Sequence, residues 1–254
     1  MPALLVDRHA SARNTLRMIL STLGISAVHN ASNTTEVMRQ VKAYSFDVIF
    51  ADYHLDDGRD GQQLLEELRQ QRLISLSTVY MVVTAERGYH NVVSVAELAP
   101  DDYLIKPFTA DQLQSRLVKA LYKKKYFERV FRHLDNGAFN DALAACEALI
   151  GKDDQFLYDT LRFKGEILNA LGRYEEAKAV YQQVLDHAMV PLARMGVAIA
   201  LRGMDALAEA EMIGASIIDD FPEYLAAYDF VANVREEMGK LAEAQETLQK
   251  ASAI

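Results

Sequence analysis

Five short apolar runs in the first 122 residues each stop at a polar residue, and helical periods separate them. That alternation restricts the fold more than any other feature of the chain. Ala3–Val6 stops at Asp7, Val48–Ala51 at Asp52, Thr78–Val83 at Thr84 and Tyr103–Ile105 at Lys106, with a weaker run at Ser26–Val28. Between them, apolar residues recur at helical spacing in Ser11 to Leu23, Asn33 to Tyr44, Gln62 to Leu73 and Gly88 to Leu98, and again after Thr109. Asn33 and Thr109 are the expected caps. Five strands alternating with five helices predict an α/β domain built on a doubly wound, five-stranded parallel sheet.

In a parallel sheet the carboxyl ends of all strands share one edge, where open α/β folds place their ligands. Asp7, Asp52, Thr84 and Lys106 therefore converge there. Two carboxylates with a backbone carbonyl suit Mg²⁺. A lysine and a hydroxyl facing an aspartate suit a phosphoryl group placed on that aspartate. Singly, each residue has a plainer reading: an Asp after a strand is usually a turn former, and Thr84 a cap. The conjunction of four is what points to chemistry.

These residues resemble the receiver domain of two-component response regulators, a flavodoxin-like module, over about residues 1–122. The resemblance is carried by LLVD at the start, FADYHLDDGRDG around Asp52, VVTAE at 82–86 and DYLIKPF at 102–108. It implies that Asp52 is the phosphoacceptor, attacking the phosphohistidine of a sensor histidine kinase or phosphotransfer protein. Asp7 and Asp52 would hold Mg²⁺ together with the backbone carbonyl of His54. Thr84 would bond the phosphoryl oxygens, Lys106 would pair with them, and Tyr103 would be the aromatic that moves with Thr84. In such domains the Lys106–Pro107 bond is typically cis.

Two departures bear on that reading. The family places a second acid after the first, and here it is Arg8. At about 5 Å and an effective dielectric of about 20, repulsion between Arg8 and Mg²⁺ is on the order of 6 kcal/mol, most of which Arg8 avoids by swinging into water. Metal binding is therefore expected to be weakened rather than lost. In the loop after Asp52 the usual Pro is Asp56, and one residue is inserted before Asp60 and Gly61; Asp56 and Asp57 could partly compensate for the missing acid, though turn chemistry is the plainer reason for Asp56-Asp57-Gly58. An aspartyl-phosphate phosphatase would need a general acid two residues after the nucleophile, and that position is His54. The chain is therefore read as a non-enzyme.

From Lys123 onward no strand pattern survives, and a motif recurs: NGAFNDALAAC, LGRYEEAKAVY, RGMDALAEAEM, MGKLAEAQETL. Its glycines, Gly137, Gly172, Gly203 and Gly239, are spaced by 35, 31 and 36, and Ala142, Ala177, Ala208 and Ala244 keep the same spacing. Periods near 34 mean stacked helix pairs. The glycines would turn the chain in the left-handed region, the alanines would let helices approach, and Cys146, Tyr181, Met212 and Leu248 would fill the gaps. The segment resembles tetratricopeptide repeats, about four units over 123–254. That implies an all-α solenoid with a groove for a protein ligand. Thr109 to Leu134 lacks Pro and Gly, which predicts one continuous helix joining the halves. The fourth repeat ends without a polar capping helix, as in a fragment of a longer chain, or with that face covered by a partner or by homodimerisation.

The net charge is −9, split as 12 basic against 14 acidic residues in 1–122 and 15 against 22 in 123–254. The acidic second half disfavours nucleic acid, and Lys123-Lys124-Lys125 reads as a solvated helix face. A single cysteine, Cys146, rules out an intrachain disulfide and fits a reducing, cytoplasmic setting. No apolar run is long enough to span a membrane. The expected protein is a response regulator with an interaction output. The alternative is a degenerate receiver that takes no phosphate and serves as a dimerising scaffold, for which Arg8 is the main support.

Overall fold

The three inner strands are buried along their whole length because both faces of their sheet are covered by helices. A computed structural model describes residues 1–55, 60–85, 100–186 and 190–252. The strands are β1 (Ala3–Val6), β2 (Val28–Ala31), β3 (Val48–Asp52), β4 (Val79–Thr84) and β5 (Asp102–Ile105). They form one parallel sheet in the order β2-β1-β3-β4-β5. Side chains alternate between two apolar layers. Leu5, Phe50, Met81, Val83 and Leu104 pack on one side, and Leu4, Val6, Ile49, Tyr80 and Val82 on the other.

Helices α1 (Ala10–Thr22), α2 (Thr34–Ala43), α3 (Gly61–Gln70) and α4 (Ala110–Tyr126) supply the covering surfaces. Leu16 and Leu20 of α1 and Leu113 and Leu117 of α4 join the first layer; Val37 of α2 and Leu64, Leu65 and Leu68 of α3 join the second. Asn33 caps α2 through its side chain, and Asp60 and Thr109 close capping boxes with Gln63 and Gln112. The helix expected over Gly88 to Leu98 lies outside the described residues, as do Asp56 and Asp57.

Two expectations for this half need correction. The second strand is Val28–Ala31 rather than Ser26–Val28. It lies at the sheet edge, where half-exposed His29 and Asn30 erase the apolar run that marks the other strands. The continuous helix from Thr109 to Leu134 is also interrupted. Helix α4 ends at Tyr126, the fully buried Phe127 adopts φ −93° and ψ 7°, and α5 (Glu128–Asp135) follows.

The chain divides into two compact units, the first reaching Asn136 and the second starting at Gly137. Within the first, α5 is fastened to the amino-terminal side of the sheet. Asp135 accepts from the Ser75 hydroxyl (2.5 Å) and the Leu76 N–H (3.0 Å). Lys124 donates to Leu76 O (2.8 Å) and pairs with Asp101 (2.9 Å), which accepts from the Tyr80 N–H. Burial pulls the Lys124 ammonium below its ordinary pKa despite the Asp101 charge.

The second unit contains α6 (Phe139–Glu147), α7 (Leu157–Ala170), α8 (Tyr174–Leu185), α9 (Pro191–Gly203), α10 (Leu207–Asp220), α11 (Leu225–Glu237) and α12 (Leu241–Ala251). Each packs on the next, as an α-solenoid requires. Gly137, Gly172 and Gly239 take positive φ as expected, but in the third repeat that position belongs to Asp205 (φ 62°), while Gly203 stays helical. The close-approach alanine there is the fully buried Ala210, not the exposed Ala208, and Met212 is 66% exposed. The corrected turn positions 137, 172, 205 and 239 are spaced by 35, 33 and 34. Tyr181 fills its gap as expected, whereas Leu248 is exposed. Cys146 is fully buried, and burial pushes its thiol up to about 12, the Glu166 charge adding to the effect.

Candidate functional site

In the strand order 2-1-3-4-5 the connections change direction between β1 and β3, and ligands bind beyond the carboxyl ends at that point. β1 and β3 pair in parallel up to Val6 opposite Ala51. The next residues, Asp7 and Asp52, therefore stand side by side. They are 7% and 9% exposed, in a chain where nearly every other buried group is apolar. Buried carboxylates need a counter-charge.

Lys106 supplies it from the end of β5. Its Nζ donates to Asp52 Oδ1 at 3.0 Å and to Asp7 Oδ2 at 3.2 Å. Burial alone would pull the ammonium down; the hydrogen bond and charge of Asp52, then Asp7, outweigh it and hold its pKa above the ordinary lysine value. β5 is separated from β3 by β4, so the lysine reaches across that strand. The Lys106–Pro107 peptide is cis, as expected.

Thr84 ends β4 and is 1% exposed; its carbonyl accepts from the Lys106 N–H at 2.7 Å. By alternation it shares a sheet face with Tyr80 and Val82, the face against which Tyr103 packs. The Tyr103 hydroxyl donates to Gln62 Oε1 (3.1 Å), and burial, with Asp60 and Glu66 adding to it, pushes this phenol up to about 12. His54 lies two residues past Asp52 and forms an isolated antiparallel bridge with Asp60. The structure thus brings Asp7, Asp52 and Lys106 into direct contact. Thr84 is tied to the lysine through the backbone, and Tyr103 stands on the neighbouring strand.

Three contributors escaped the sequence reading. Arg13, on the first turns of α1, lines the cleft with Asp7, Asp52 and Lys106, and its guanidinium donates to the Asp7 main-chain carbonyl. An arginine at the polar boundary of an amphipathic helix carries no signal of that contact. The His9 N–H donates to Asp7 Oδ1 at 2.7 Å, with the ring Nδ1 3.3 Å from the same oxygen. At Gly61 a Cβ would lie 2.6 Å from the Asp52 carbonyl oxygen, so only glycine lets α3 start this close to the acid. The double signal, glycine opening a helix after a strand-end acid, was present in the sequence.

Asp7 and Asp52 are hard oxygen donors that already reach a common cation, the Lys106 ammonium, which is the donor chemistry a magnesium ion requires. Among the described residues no group of three or more His, Cys, Asp or Glu side chains could hold a metal. Arg8 is exposed, as its position beside this pair demanded.

Sheet order and a lysine-bridged acid pair at the switch point define a flavodoxin-like domain with an anion- or cation-handling edge. By comparison, residues 3–118 match the response regulator receiver domain and residues 163–186 the tetratricopeptide repeat. The first match lies within the five-stranded unit, and the second across α7 and α8 of the helical unit. It is 28% identical over 130 residues to the chemotaxis protein CheY of Pseudomonas aeruginosa, covering 51% of this chain and 98% of that one. Chemotaxis protein CheY-3 of Vibrio cholerae is 28% identical over 130 residues, covering 51% and 94%. Among solved structures, the signal receiver domain of an HD domain-containing protein from Pseudomonas fluorescens superposes with a TM-score of 0.42 at 26% identity, covering 49% of this chain and 89% of that one. Chemotaxis response regulator CheY4 of Vibrio cholerae gives 0.42 at 23%, covering 47% and 98%.

Proposed function

We propose that this response regulator accepts a phosphoryl group on Asp52 from a histidine kinase or phosphotransfer protein, and that its repeats dock a protein partner in response. The observation that carries the reading is the single ammonium of Lys106 bonded to both Asp52 and Asp7 at the carboxyl edge of the sheet. Lys106 holds Asp52 by Oδ1 and so orients the carboxylate. The Asp52 oxygen attacks phosphorus in line, and the donor nitrogen leaves with the electron pair. Lys106 and the Thr84 hydroxyl then meet the oxygens of the acyl phosphate. Asp7, Asp52 and the His54 carbonyl would hold Mg²⁺, which when bound adds positive charge to those oxygens. Thr84 and Tyr103, on adjacent strands and one face, form the element whose balance the new charge would shift.

The test is the intact mass of the protein after incubation with Mg²⁺ and acetyl phosphate. The native chain gains one phosphoryl group and Asp52→Asn gains none. A native chain that gains none would leave the second reading, a phosphorylation-independent docking scaffold, which the cationic neighbours Arg8 and Arg13 favour.

A further inference from the structure

The acid pair is met by more positive charge than it needs. Lys106 bonds both carboxylates, and Arg13 lines the same cleft with its guanidinium on the Asp7 carbonyl. Arg8 follows Asp7 directly, is exposed, and among the described residues pairs with no acid. Lys106 and Arg13 thus share the cleft with the two carboxylates, and Arg8, next to Asp7 in the chain, adds a third cation beside it before any metal is counted. Such an excess matches an anion, and the anion generated at this site is the acyl phosphate of Asp52. Arg13 is fixed by its bond to Asp7, and Lys106 is divided between two acids. Arg8 alone is free to move, and its planar fork suits two phosphoryl oxygens at once.

We propose that Arg8 is a phosphoryl-binding residue that takes over part of the charge compensation a divalent cation would otherwise provide. The proposal rests on Asp52 being the acceptor. With acetyl phosphate as donor, an Asp52 oxygen forms the new O–P bond, the bond from phosphorus to the acetyl oxygen breaks, and acetate leaves with its electron pair. No proton is exchanged, and the side chain gains one negative charge. Arg8 swings from solvent onto that group. The same residue repels a cation at Asp7, so weak Mg²⁺ affinity and reduced Mg²⁺ dependence have one origin.

The experiment compares the full native chain with Arg8→Gln and Arg8→Asp, both at an exposed position that leaves the core intact. Mg²⁺ binding is read by calorimetry, and phosphorylation by acetyl phosphate is read as intact mass, in Mg²⁺ and in EDTA. The native chain should bind Mg²⁺ about tenfold more weakly than Arg8→Asp. In EDTA it should still gain a phosphoryl group, at a yield several-fold above Arg8→Gln. Equal Mg²⁺ affinities, or native phosphorylation that vanishes in EDTA, would overturn the role of Arg8 and leave Asp52 as acceptor. No phosphorylation of any variant under either condition would overturn both. Phosphorylation of Arg8→Asp alone would show that Arg8 excludes the chemistry, overturning the proposal in favour of the scaffold.

Discussion

At Lys106, burial and charge pull in opposite directions, and charge wins. A lysine whose folded pKa lies above its unfolded value stabilises the fold fully below the unfolded pKa, about 10.4, and loses that contribution as pH rises through the folded value. Native protein and Lys106→Met should therefore differ in urea-unfolding stability by a constant amount from pH 7 to about pH 10, and the gap should close above that. A gap already shrinking between pH 7 and 9 would mean that Asp52 and Asp7 do not hold the ammonium. Asp7, Asp52 and Lys106 were legible because each ends an apolar run. Arg13 and His9 were not, since their contacts are with the main chain and carboxylate of Asp7, which only the turn between β1 and α1 brings within reach.

Among the elements, the ring of Tyr181 is wedged between two helices of the solenoid. A Cβ added at Gly165 of α7 or Gly196 of α9 would lie 2.6 or 2.3 Å from the Tyr181 ring of α8. Gly196→Ala gains up to about 1 kcal/mol of helix propensity, but overpacking in a close-packed interior costs about 1–3 kcal/mol. The steric effect should win, lowering the denaturant midpoint, and adding Tyr181→Leu should recover part of the loss. An unchanged midpoint would show that the ring can move aside. The same helices show where pattern reading stopped. Asp205 can occupy a left-handed turn because its short polar side chain tolerates that region, so the nearby Gly203 drew the repeat out of register by two residues. Gly203 instead gives room to Tyr174, whose ring a Cβ there would meet at 2.4 Å. At Phe127 no Gly or Pro announces the helix break, because burial of the ring rather than backbone preference accompanies it.

For the molecule as a whole, the first compact unit runs to Asn136, beyond the 122/123 boundary that the change of pattern suggested. Pattern marks where strands cease, whereas the contacts of Lys124 with Asp101 and of Asp135 with Leu76 mark where the unit is fastened. A fragment of residues 1–136 should be more stable than one of residues 1–122 by roughly 2–4 kcal/mol, since the shorter one strands Asp101 and frees the 75–78 segment. Thermal melts that coincide would refute this. Among the described residues no helix is long and apolar enough to cross a membrane.

Lys106 leans over a strand to which it does not belong and serves two acids with one ammonium. It cannot follow fresh negative charge on Asp52 without loosening its grip on Asp7, and its backbone N–H is anchored to Thr84 while it does so. Were Asp52 loaded as proposed, the added charge would become a tug on the end of β5 at Pro107, Phe108 and the start of α4, and a chemical event one atom wide would be handed to the backbone as a mechanical one.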